Sequence, residues 1–269
     1  MLYTDKVYGQ HKIEEEVVVE LINSKPVQRL KKISQYGINH LVLKHLSTTR
    51  FEHSVGVYLL LRRLNASLKE QINGLLHDVS HTAFSHVADF VFKNSEQNYH
   101  EKFYNKFLLN SEIPMILKRH NLSIDDVTAE TSHTLLEKDF PDLCADRLDY
   151  FYRDLTHIHK ISIDEAHNNL GHLIIMNNEI LFDDINAAKF FAFNYCEGNK
   201  TFWADTKIIM FMTMMAEIIG IALKNKIISE GDLFLTDDVV LRIIKDSADE
   251  EINKRFKWIR EDLILKEDE

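Results

Sequence analysis

Apolar residues recur every three to four positions along most of this chain, with polar residues filling the gaps. Ile13, Val17, Val18, Leu21 and Ile22 predict a first helix from Lys12 to about Ser24. Pro26, tolerated in a first turn, opens a second helix that turns Val27, Leu30 and Ile33 inward and is expected to end at Gly37. A loop over 38–49 follows, and Phe51, Val55, Tyr58, Leu59 and Arg62 then keep helical spacing through residues 50–64. The next stripe, Ile72, Leu75, Leu76, Val79 and Ala83, predicts one buried helical face. On that frame His77 and His81, four apart, share a face, while Asp78, Thr82, Ser85 and His86 lie on the neighbouring one.

The helical pattern continues from Ala83 to Phe92, resumes at Tyr99, and is mixed with loops over 111–136. His120 and His133 in that stretch are expected to be ordinary surface or packing residues. Leu148, Phe151, Tyr152 and Leu155 form another stripe, with Asp146, Asp149, Tyr150, Arg153 and Asp154 on the opposite side. Charges at this spacing usually mark a solvated, salt-bridged surface, although a tyrosine among carboxylates and an arginine weakens that expectation. The texture changes near Ile161. Short apolar runs flank Asn177 and Asn178, the signature of a hairpin turn. Helices are then expected over Ala187–Tyr195, Trp203–Lys226 and Asp238 to about Ile264, and residues 1–12 read as an extended arm.

Composition sharpens this into an all-α fold. Only 8 glycines and 3 prolines occur in 269 residues, which favours helices joined by short polar loops. The expected organisation is a helical core over 1–165 and a C-terminal helical lobe over 166–269, with room for one small β-hairpin. A formal charge of −10 argues against a duplex or RNA binder, which would show a basic face, but leaves room for a small anionic ligand. Cys144 and Cys196 make no metal-type spacing or disulfide framework. The longest apolar run, Ile208–Leu223, is interrupted by Glu217 and reads as a core or interface helix rather than a membrane span. The expectation is a cytoplasmic protein with no membrane partner. The methionines at 210, 212, 214 and 215 suggest packing or a subunit contact, hence a homo-oligomer.

The candidate chemistry centres on His77-Asp78. Imidazole and carboxylate set against an apolar wall suit a transition metal better than a solvated surface would. Taken together, His53, His77-Asp78 and Asp146 resemble the ligand set of the HD-domain phosphohydrolases. The wider pattern is most similar to their deoxynucleotide triphosphohydrolase, or dGTPase-like, branch. Pro26-Val27-Gln28-Arg29-Leu30 with Gln35 and Gly37, Thr49 through Val57, Leu76 through His81 with Phe84-Ser85-His86, His100-Glu101, and Asp146 through Tyr150 with Arg153-Asp154 occur in family order.

That resemblance implies an HD-domain core and makes His53, His77, Asp78 and Asp146 the metal ligands. The ion would be Mn, Fe, Ni, Co or Zn, with Mg as an additional phosphate-bound ion. His81 and His86 would face the phosphates, one of them as general acid, assisted by His100 and Glu101. Arg50 and Arg147 would hold phosphate oxygens, and Gln35, Tyr150 and Asp154 would contact the sugar.

The implied reaction cleaves a deoxynucleoside triphosphate to deoxynucleoside and triphosphate with metal-activated water. The chain departs from the family pattern at Ser80, Thr82 and Ala83, where glycines and a proline are usual, and at Cys144, where an aspartate is usual. No arginine occurs between Arg153 and Arg242 to meet a triphosphate tail, and Lys189, Lys200 or Lys207 are the available substitutes. A nucleoside monophosphate or another small phosphoester is therefore the rival substrate. A non-catalytic nucleotide-binding module is the rival class.

Overall fold

The computed structural model describes residues 1–128 and 133–263 and is all-α apart from two hairpins. Strands β1 (Leu2–Asp5) and β2 (Gly9–Lys12) pair antiparallel, so the expected extended arm is a hairpin. Helices α1 (Glu16–Asn23) and α2 (Lys25–Arg29) follow, and a 3-10 turn at Leu30–Lys32 ends the second well before Gly37. The loop over 38–49 contains one helical turn, α3 (Asn39–Val42). Helix α4 (Arg50–Arg63) begins at a capping box in which Thr49 and Glu52 satisfy each other's backbone amides. Helix α5 (Leu68–Leu76) stops at His77. Short helices come next: α6 (Val87–Val91), α7 (Tyr104–Leu109), α8 (Ile113–Arg119) and α9 (Ile124–Thr128).

Helix α10 (Ala145–His157) carries the acidic face, and α11 (Ile163–Gly171) follows. Strands β3 (Leu173–Met176) and β4 (Glu179–Phe182) form the expected hairpin, with Asn177 and Asn178 both left-handed at φ 54° and 62°. Then come α12 (Ile185–Gly198), a π-helical turn at Asn199–Trp203, α13 (Thr206–Lys224), α14 (Asp237–Asp246) and α15 (Glu250–Phe256). The helix expected from Asp238 to Ile264 is thus two helices; Ile264 itself and the acidic tail lie outside the described residues, as do 129–132.

Helix α4 is buried on nearly all sides. One face packs with α1, α2, α5 and α8, and the other packs with α10, α11 and α12. A third apolar cluster joins α13, α14 and α15 to Ile38, Ala83, Phe84 and Val87. Among the described residues α13 is the one helix long and apolar enough to cross a membrane, and its Phe211, Met215, Ile218 and Ile219 are buried in that cluster.

The chief departure from the sequence pattern lies at residues 77–86, which form turns instead of continuing α5. Backbone groups there are held by distant partners. Arg29 donates to the carbonyls of Val79 (3.0 Å) and His81 (2.6 Å) on one side and Phe234 and Leu235 (2.9 Å each) on the other. The Ala83 amide donates to Leu233 O at 2.7 Å. Phe84 and Ser85 are both left-handed at φ 61° and 54°. His77 and His81 therefore do not share a helix face; loop geometry rather than helical spacing brings them near one another.

Candidate metal centre and phosphate cleft

Three elements converge on one point. Helix α4 supplies His53, the end of α5 supplies His77 and Asp78, and the first turn of α10 supplies Asp146. His53 Nε2 lies 2.8 Å from Asp146 Oδ1 and 3.8 Å from Asp78 Oδ2. His77 Nε2 is 3.5 Å from both Asp146 Oδ1 and Asp78 Oδ1, and 3.3 Å from His53 Nε2. Asp146 is the most open of the four, with 27% of its side chain exposed, against 9% for His77, 3% for Asp78 and 1% for His53.

The outer nitrogens of both rings are already committed. His53 Nδ1 donates to Asp149 Oδ2 at 2.8 Å, and His77 Nδ1 donates to the Gly74 carbonyl at 2.7 Å. In neutral rings this leaves two Nε2 lone pairs facing each other beside two carboxylates. Such an arrangement demands a cation between them, and nitrogen plus carboxylate donors suit a first-row transition ion. The protein alone supplies protons instead. Burial opposes charge on His53, but Asp146 and Asp149 overcome it and push the ring up to about 10. Metal binding at this centre would then release protons.

Each donor has its own support. Asp149 is fully buried and takes two bonds from Arg153 (Nε to Oδ2 and Nη2 to Oδ1, both 2.9 Å), and Arg153 also reaches Asp5 of the N-terminal hairpin at 3.1 Å. Arg50 Nη1 donates to Asp78 Oδ2 at 2.8 Å. Burial would raise the Asp78 carboxyl, but Arg50 and the neighbouring histidines hold it well below the usual carboxylate range.

His81 and His100 stack at 3.7 Å, with His86 edge-on to His81 at 4.9 Å. Among the described residues, neither ring nitrogen of buried His81 has a hydrogen-bond partner, nor has His100 Nδ1. Asp78, His81 and His100 form a second group of donors close enough to hold an ion, beside His53, His77 and Asp146. Burial keeps both rings neutral, with His100 pushed down to about 3 and His81 also well below its ordinary value. His86 is half-buried, and its Nδ1 is held by Asp89 at 3.0 Å. Glu101 is exposed at the mouth of a cavity of ≈610 Å³ that reaches His77 and His100 and is also lined by Glu137. Burial followed by Asp146 pushes Glu137 up to about 7.

A separate cleft of ≈330 Å³ is lined by Arg50 and His86, by Tyr150 and Asp154 of α10, and by residues of α12, the π-helical turn and α13. Gln35, Arg50, Tyr150 and Asp154 all line it. Asp154 is buried and accepts from Tyr36 Oη (2.9 Å) and Trp203 Nε1 (2.8 Å). Burial raises its carboxyl to about 6 in spite of those donors. Tyr150 Oη is hydrogen-bonded to Tyr195 Oη, and Gln35 Oε1 is a buried acceptor without a partner among the described residues.

Arg147 does not line the cleft. Its guanidinium donates to the carbonyls of Asp142 and Lys138 and lies over the Phe140 ring. None of Lys189, Lys200 and Lys207 lines it either; Lys207 bonds the Glu261 carbonyl, and the other two are exposed. Tyr36 and Trp203, which meet at Asp154, lie outside the quoted motifs, and Asp149, inside one, is given no role there. Helical spacing places Asp149 on the acidic face of α10, and Trp203 is only the expected start of a helix.

The HD domain family matches residues 50–154, from Arg50 at the start of α4 to Asp154 near the end of α10. An uncharacterized protein of Bacillus subtilis, YdhJ, is 42% identical over all of this chain and 83% of its own length. This chain belongs to the HD-domain family of metal-dependent phosphohydrolases. The metal-dependent phosphohydrolase cns2 of Cordyceps militaris is 35% identical over 82% of this chain, which spans 66% of cns2. The deoxynucleoside triphosphate triphosphohydrolase SAMHD1 of Danio rerio is 35% identical over 34% of this chain and 17% of SAMHD1. Among solved structures, a hypothetical protein from Aquifex aeolicus superposes with a TM-score of 0.77 at 22% identity, over 96% of this chain and 74% of that one. That likeness establishes the all-α fold.

Proposed function

We propose that this HD-domain protein hydrolyses a nucleoside monophosphate or a similarly small phosphomonoester, with His53, His77, Asp78 and Asp146 holding the catalytic ion. The carrying observation is the charge of the cleft. Among the described residues Arg50 is its single lysine or arginine, in a pocket whose walls include Tyr36, Tyr150, Tyr195, Phe202 and Trp203. One guanidinium and a neighbouring ion match one phosphate, and the aromatic walls match a nucleoside.

When bound, the ion polarises a phosphoryl oxygen and lowers the pKa of its water from 15.7 towards ~7. Arg50 keeps Nη2 for a phosphate oxygen while Nη1 and Nε are anchored on Asp78 and Ser85. His86, oriented through Nδ1 by Asp89, presents Nε2 to donate a proton to the leaving oxygen. Neutral His81 and His100 back it as a stacked pair, and Glu101 assists from the opposite mouth. Gln35, Tyr150 and Asp154 receive the sugar. Arg147 reaches the site only through Tyr150, which it neighbours.

A deoxynucleoside triphosphate is the second reading, favoured by the partial similarity to SAMHD1. The test is a product analysis of the Mn²⁺-loaded protein with monophosphates and dNTPs, using His77→Ala as control. Nucleoside plus inorganic phosphate from monophosphates is expected. Intact triphosphate from dNTPs, with no phosphate from monophosphates, would replace the first reading by the second. No product from either would leave a binding module.

A further inference from the structure

Asp237, the first residue of α14, is buried about 150 residues away in sequence from the loop that it touches. Its Oδ2 accepts the Ser34 amide at 2.9 Å and its Oδ1 accepts the Phe84 amide at 2.7 Å. Burial pushes this carboxyl up to about 7 although both amides and Arg29 oppose the rise. A buried carboxylate without a direct ion pair is unfavourable, so a fold that keeps one is using its two acceptor oxygens.

What they hold is a strained piece of backbone. Phe84 and Ser85 are consecutive left-handed residues without a glycine, a strained conformation that persists only when its surroundings fix it. The strain delivers the Ser85 hydroxyl to one spot. Ser85 Oγ donates to the Ser34 carbonyl at 2.6 Å and accepts from Arg50 Nε at 2.9 Å. Asp237 thus grips both residues that set the position of that hydroxyl: Phe84 before it in the chain, and Ser34 across from it.

We infer that Asp237 is a positioning residue of the hydrolytic site: through Ser34, Phe84 and Ser85 it fixes the guanidinium of Arg50 between Asp78 and the bound phosphate. The phosphate part rests on the function proposed above; the hold on Arg50 does not. An asparagine at 237 keeps one acceptor oxygen and turns an NH₂ group towards the other amide, so one of the two anchors becomes a repulsion.

The experiment uses the full-length, Mn²⁺-loaded protein as wild type, Asp237→Asn, Ser85→Ala and the double variant. Inorganic phosphate affinity is measured by calorimetry, and solvent exchange of the Arg50 Nε proton by NMR of ¹⁵N-arginine protein in its Zn²⁺ form. Asp237→Asn should weaken phosphate binding about tenfold and speed Nε exchange at least tenfold, with metal content unchanged. Ser85→Ala should do the same, and the double variant should be no worse than Ser85→Ala, since both act along one chain of contacts. An Arg50 proton as protected in Asp237→Asn as in wild type, or phosphate losses that simply multiply in the double variant, would overturn the inference. If Asp237→Asn fails to fold, full protection in Ser85→Ala overturns it alone. Wild type that binds no phosphate would reject the proposed substrate class, while the exchange measurement still decides the role of Asp237.

Discussion

Gly56 sits in the middle of α4, where alanine would ordinarily be the better helix former by about 1 kcal/mol. Here a β-carbon would lie 2.8 Å from the Asp149 carboxyl carbon, and closer still to Asp149 Oδ1 and Arg153 Nη2. Neither group can yield cheaply, because Asp149 holds His53 Nδ1 and Arg153 is tied to both Asp149 and Asp5. Parting a buried ion pair destabilises by roughly 3–5 kcal/mol. Set against the propensity gain, Gly56→Ala should lose about 2–4 kcal/mol, which at 2–4 °C per kcal/mol is a Tm drop of roughly 5–15 °C. The displaced Asp149 should also release His53 and lower metal affinity about 10–100-fold. The assay is calorimetric Tm with and without Mn²⁺, together with a metal titration. Gly171→Ala, at the end of α11 where a β-carbon meets nothing within 4 Å, is the control and should lower neither. A Gly56→Ala protein with unaltered Tm and metal affinity would refute the role given to the Asp149–Arg153 pair.

Replacing His77 by Ala should abolish bound metal and turnover while the far-ultraviolet circular dichroism stays helical; turnover without metal would remove His77 from the centre. His86→Ala should keep the metal and slow the chemical step by about 10²–10⁴-fold, as loss of a general acid does. An unchanged rate would assign the acid elsewhere. Asp237 gives a pH signature of its own. Its carboxyl is raised in the folded state to about 7, so its contribution to stability is full below about pH 4 and is lost as pH rises through 7. A shift of about three units corresponds to at most ~4 kcal/mol across that window. Melting curves should therefore show wild type losing its advantage over Asp237→Asn between pH 4 and 7.5, and a constant difference would contradict the shift.

The parts of the fold that sequence made legible are those fixed by neighbours in the chain. The capping box at Thr49 and Glu52 sets the start of α4, and Asn177-Asn178 sets a hairpin because asparagine tolerates the left-handed pair that the turn requires. The illegible parts are fixed from a distance. Val79 and Ala83 complete a helical stripe on paper and are indeed buried, yet Arg29, Leu233 and Asp237 take over the backbone bonds that a helix would have used. Asp149 and Arg153 share the spacing of a solvated face, but Gly56 and the N-terminal hairpin close over them. The residues of the centre were legible as a set because their motifs lie in order. The company kept by Asp154, with Tyr36 from one side and Trp203 from a π-helical turn on the other, was not. Nor was the engagement of Arg147 with carbonyls of its own loop.

The central claim is that water activated at the His53, His77, Asp78 and Asp146 centre attacks the phosphorus of a single-phosphate ester. Turnover of a nucleoside monophosphate by the Mn²⁺-loaded protein in ¹⁸O-labelled water, followed by mass spectrometry of both products, tests it directly. The account predicts one ¹⁸O in the released phosphate, none in the nucleoside, and no release at all from His77→Ala. Label in the nucleoside, or undiminished release by His77→Ala, would contradict it.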